Sequence, residues 1–137
     1  MRIHHSLSLA ALLWSGAVAA QGQQAHDAPH PVVTPVMTQA LPDYPGKEGL
    51  ILTVNYPPGG ASALHHHDAN AFVYVLEGSV VMAVKGGKEV TLTPGQSWSE
   101  KPGDVHTVSR NASQTKPAKF VVFMLKDAGK PAVIPGP

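Results

Sequence analysis

Residues 58–78 read PGGASALHHHDANAFVYVLEG, and the fold is decided in this stretch. Pro57-Pro58-Gly59-Gly60 is a strong breaker of whatever precedes it. Residues 71–77 (AFVYVLE) are rich in aromatic and β-branched side chains, stop at Gly78 and read as a strand. Between breaker and strand stand His65, His66 and His67. In extended backbone successive side chains point to opposite faces, so His65 and His67 share one face and His66 takes the other. Their Cα atoms then lie about 6–7 Å apart, a spacing from which two imidazoles can clamp one ion.

The same strand-and-turn pattern continues on both sides. Residues 50–56 (LILTVNY) precede the breaker. Residues 79–85 (SVVMAVK) run into Gly86-Gly87, a two-residue hairpin signal that returns through 88–93. Pro94-Gly95 turns the chain into 96–100, and Pro102-Gly103-Asp104 turns it into 105–110. The last strand, 119–125 (KFVVFML), is apolar on both faces and expected to be buried on both. The first, 32–37, carries Pro35 and belongs on an edge, where a second copy of the chain could pair to form a homodimer. About eight strands with a turn every 8–12 residues predict an all-β sandwich or barrel, and a jelly-roll closure leaves the fewest open edges. Phe72, Val73, Tyr74, Val75, Leu76, Val80, Met82, Phe120 and Phe123 are the expected core.

The chain's 137 residues suffice for one domain. Its 13 glycines and 13 prolines suit short strands and tight turns better than helices. A formal net charge of +1 supplies no basic field for nucleic acid. The absence of cysteine excludes disulfides, thiolate metal sites and a cysteine nucleophile. No GxSxG elbow and no phosphate-cradling glycine loop is present in the sequence. Residues 1–20 read as a secretory signal peptide, with Arg2 at the start, an apolar run too short to span a bilayer, and cleavage expected after Ala19 or Ala20. The mature protein is therefore expected outside the cytoplasm, in the periplasm, with no stable membrane anchor. Residues 21–31, with His26 and His30, read as a disordered linker, 32–126 as the barrel, and 127–137 as a tail or strap.

A third metal ligand has to come from elsewhere, and His106 is the remaining histidine of the barrel region. Strict alternation gives Val108 and Arg110 its face, and makes Gln96 and Trp98 neighbours on another strand. Arg110 is then a candidate to hold a substrate carboxylate, and Gln96 and Trp98 are candidate pocket residues.

Residues 59–78 resemble the first motif of the cupin superfamily: glycine, five residues, His-x-His, a short spacer, then Tyr-Val-Leu-x-Gly. Residues 95–111 (GQSWSEKPGDVHTVSRN) resemble the second, with Pro-Gly-x-x-His and a following asparagine. The resemblance implies a small single-domain cupin, a double-stranded β-helix of jelly-roll type, and one divalent metal held by His65, His67 and His106. The family's usual glutamate, four residues past the second histidine, falls on Ala71, which cannot coordinate. Asp68 and Asn70 face with His66, and Glu77 lies too far along the strand to replace it. Three neutral imidazoles with no acid beside them leave a divalent ion its full +2 charge and three open octahedral positions, which suits a chelating anion plus dioxygen. The function implied is a metal-dependent, dioxygenase-like oxidoreductase acting on a small chelating anion, with iron, manganese, nickel, copper and zinc all chemically acceptable. A non-catalytic small-ligand binder and a Lewis-acid lyase or isomerase are the alternatives.

Overall fold

The computed structural model describes residues 28–136; the expected signal peptide, its cleavage site and His26 lie outside them. Among the described residues there is no helix. The chain alternates between strands and turns: β1 (Val32–Ala40), β2 (Lys47–Tyr56), β3 (His65–His66), β4 (Ala69–Glu77), β5 (Val80–Val84), β6 (Val90–Leu92), β7 (Ser97–Glu100), β8 (Val105–Asn111), β9 (Ala118–Asp127) and β10 (Ile134–Pro135). They form two five-stranded sheets in the orders β1-β2-β9-β4-β7 and β10-β3-β8-β5-β6, and every pairing is antiparallel. This is the all-β, double-stranded β-helix of the jelly-roll class that the turn spacing and motifs lead one to expect.

Alternation places the core. Leu50, Leu52, Val54 and Tyr56 of β2 point inward, as do Ala69, Ala71, Val73 and Val75 of β4 and Phe120, Val122 and Met124 of β9. From the opposite sheet they meet Val80, Met82 and Leu92, so both sheets close on one apolar interior. The apolar run of β9 is not buried on both faces: Phe123 and Leu125 are exposed, and so are Phe72, Tyr74 and Leu76 of β4. Sheet parity overrides residue type here, because an antiparallel sheet with one solvated face needs apolar residues only on the other. The Phe72 and Phe123 rings stack across the outer surface at 6.1 Å.

Two details of the sheets matter for the site. In β8, Ala83 pairs with Val108 and Val84 with His106, so Thr107 is an extra residue, a β-bulge. The bulge reverses parity, and His106, Ser109 and Asn111 are buried while Val108 and Arg110 are not. The second detail is the C-terminal strap. Residues beyond Asp127 fold back over the barrel mouth, β10 pairs with β3, and the Gly136 N–H donates to the Leu64 carbonyl. Strand β1 is an edge with all nine residues exposed, and its register shifts between Pro35 and Met37. A proline and a bulge are devices that blunt strand addition at an edge.

Candidate metal centre

His65 lies on β3 directly across from His106 on β8, the two Cα atoms being paired in register. Their rings stack nearly parallel with centroids 4.7 Å apart, and the His67 ring stands edge-on to both. One ligand atom from each of the three lies within 4.8 Å of the others. His67 and His106 are buried and His65 is half-buried. His66 turns away, as alternation requires, and its Nδ1 meets the Gly136 carbonyl at 3.1 Å.

The surrounding backbone selects the ring nitrogen that faces the cluster. His65 Nδ1 lies 2.7 Å from the Ala63 carbonyl and His67 Nδ1 lies 2.5 Å from the Ala132 carbonyl of the strap. A carbonyl only accepts, so in both rings Nδ1 carries the hydrogen and Nε2 presents a lone pair. Burial, the largest influence on His65, lowers its pKa; the Ala63 hydrogen bond opposes this, and the neighbouring His106 and His67 add to it. The imidazole is thus held in its neutral, ligating form.

Ala71 of β4 offers no donor, yet an acid is present. Its Cα partner on the adjacent strand β7 is Glu100, which is buried. Glu100 Oε2 lies 2.6 Å from His106 Nε2 and 3.6 Å from His67 Nε2. The expectation of a site with no carboxylate beside it is therefore corrected. The signal was legible: the alternation that puts Gln96 and Trp98 on one face of the strand puts Glu100 there too.

The three histidines line a cavity of about 340 Å³. Its walls are mostly apolar, with Leu52, Val54, Val73, Phe120, Val122 and Met124 prominent. A second polar group also lines the cavity. The Tyr56 hydroxyl lies 2.6 Å from Ser62 Oγ, 2.8 Å from Ser109 Oγ and 3.0 Å from the Ser109 carbonyl, and all three residues line the cavity. Burial pushes the Tyr56 pKa up, so the phenol stays protonated. His30 and Pro31 line the mouth, and the Pro29 carbonyl accepts a hydrogen bond from the Ala61 N–H.

The three expected pocket residues lie elsewhere. Gln96 sits in the turn before β7, and its side-chain oxygen accepts from the Thr93 N–H and hydroxyl. Arg110 faces out because of the β8 bulge and pairs with Glu89 at 3.3 Å. Trp98 packs against the core, with its ring edge-to-face with His106 at 5.4 Å, and so supports a site residue without lining the cavity.

The family model for the cupin domain matches residues 52–124, more than half of the chain. The chain belongs to the cupin family. No curated protein matches this cupin by sequence. Among solved structures it is similar to a cupin domain from Bordetella pertussis (23% identity, 72% of this chain and 96% of that one, TM-score 0.58). It is also similar to the polyketide cyclase RemF from Streptomyces resistomycificus (20% identity, 80% and 72%, TM-score 0.60). A recombinant oxalate oxidase in complex with glycolate is a third (18% identity, 82% and 57%, TM-score 0.60). At these identities the likeness is one of fold.

Proposed function

We propose that this cupin is an exported, metal-dependent oxidoreductase of dioxygenase type, acting on a small molecule with an apolar body and an anionic, oxygen-bearing end. The observation that carries the reading is the convergence of His65, His67 and His106 on the wall of a mostly apolar cavity. The donor set fits a divalent ion: two imidazoles are locked as Nε2 donors by backbone carbonyls, and a buried carboxylate oxygen adjoins the cluster. Such an ion would polarise oxygen ligands and, if iron or manganese, exchange electrons with dioxygen. Dioxygen is then the oxidant, and both of its atoms end in the product, so no separate reductant is required.

The chain's own residues do the rest. Leu52, Val54, Phe120, Val122 and Met124 exclude water and hold the apolar body. The Tyr56–Ser62–Ser109 group offers a hydroxyl donor or acceptor to a second polar atom of the substrate and so fixes its direction. The likeness to a polyketide cyclase supports a second reading, Lewis-acid chemistry without dioxygen. Protein purified without a histidine tag separates them. With one equivalent of iron or manganese, and oxygen uptake on a panel of diketones, flavonoids and thiols, the oxidoreductase stands. Zinc with no uptake supports the Lewis-acid route, and no metal supports a ligand-binding protein.

A further inference from the structure

Glu100 is a buried carboxylate on the cavity wall, set beside His67 and His106. Its Oε2 has no hydrogen-bond partner although it is buried, and the 2.6 Å approach of His106 Nε2 lacks hydrogen-bond alignment. His67 Nε2, 3.6 Å from the same oxygen, presents a lone pair because Nδ1 holds its hydrogen on the Ala132 carbonyl. Two acceptors that face each other repel, and a buried carboxylate oxygen without a hydrogen-bond partner is costly to hold. A shared cation removes both penalties at once.

We propose that Glu100 is the fourth protein donor to the metal, delivered from β7 in place of a residue on β4. The inference rests on the metal-site reading given above. Ala71 and Glu100 are direct Cα partners on neighbouring strands, and both side chains are buried. Side chains opposite one another across a sheet have Cβ atoms about 5 Å apart, within the reach of a glutamate. One carboxylate can therefore serve the same centre from either strand, provided the facing residue is small, as Ala71 is. With Glu100 as a donor, a divalent ion would keep a net charge of +1 in place of the +2 left by three imidazoles, and the site would favour a monoanionic oxygen ligand over a dianionic one.

The full chain without a tag is titrated with Co(II), read by visible absorbance and by competition with a chelator. The wild type takes up one equivalent. Glu100→Ala and Glu100→Gln weaken binding by at least the roughly 10–100-fold that loss of even an outer partner of a ligand costs, and change the absorbance, with circular dichroism unchanged. The exchange variant Ala71→Glu/Glu100→Ala regains most of the affinity together with the wild-type absorbance, because the same donor set is restored; affinity regained with a different spectrum counts against Glu100 as the wild-type donor. If both Glu100 variants bind Co(II) as tightly as the wild type, with the same spectrum, Glu100 is no ligand while the histidine site stands. If the wild type binds no Co(II), the metal-site reading itself fails and takes this inference with it.

Discussion

Lys126 is an ammonium enclosed almost completely by protein, at 4% exposure. Its Nζ donates to Glu48 Oε1 at 2.5 Å and to the carbonyls of Lys130 at 2.5 Å and Asp127 at 3.1 Å, so each of its three hydrogens has an acceptor. The same contact acts on Glu48, whose pKa is lowered, first of all by the hydrogen bond from Lys126. A carboxyl depressed in the folded state binds fewer protons than in the unfolded chain. Its stabilisation is therefore complete above its unfolded pKa, about 4.3, and is lost as pH falls through the depressed value. Asp127, lowered by Lys47, acts in the same direction. Thermal melts from pH 6 to pH 3 should show Tm falling below about pH 4.5. In Glu48→Gln that fall should be shallower and the neutral-pH Tm lower, because Lys126 loses its anion; an unchanged acid limb would contradict the assignment. Tyr56→Phe leaves Ser62 and Ser109 without their shared partner and should cost about 1–3 kcal/mol in urea unfolding.

Among the elements, turns are the part of this fold that sequence announces most plainly. Gly78 ends β4 at φ +67°, and a Cβ there would lie 2.4 Å from the Pro117 carbonyl oxygen and 2.8 Å from Ala118 Cα. Gly86, at the β5–β6 hairpin, has φ +80° and open space around it. Gly86→Ala should cost about 1–2 kcal/mol for the left-handed backbone alone, and Gly78→Ala substantially more, since backbone must move as well. Equal losses in denaturant titrations would contradict this account. The eight longer strands were legible from glycine, proline and β-branched runs, whereas the two-residue β3 and β10 carry too few residues for any period. The β8 bulge was illegible because nothing local marks Thr107 as extra; only its partner strand fixes the parity. That one residue turned Arg110 from a cavity candidate into a surface ion pair and turned Ser109 inward. Glu100 needed no such information, only the parity already applied to Gln96 and Trp98.

Among the described residues, the segments before β1 and after β9 both contribute to the walls of the cavity. The strap after β9 supplies the Ala132 carbonyl that fixes the His67 tautomer, and Val133 and Pro135 line the cavity beside His30 and Pro31. The three histidines themselves come from the β3 region and β8, separated by the whole of β4 to β7, and meet because antiparallel register sets residue 65 opposite residue 106. That convergence was readable from two motifs and a face rule; the carboxylate beside it went unread, although strand parity covers it, because it comes from β7, which none of the three histidines occupies. Metal content of the tag-free protein tests the convergence most directly. The account predicts about one equivalent of a divalent ion in the wild type. It predicts near-complete loss in each of His65→Ala, His67→Ala and His106→Ala, with circular dichroism unchanged. Full occupancy in a folded His106→Ala variant would contradict it.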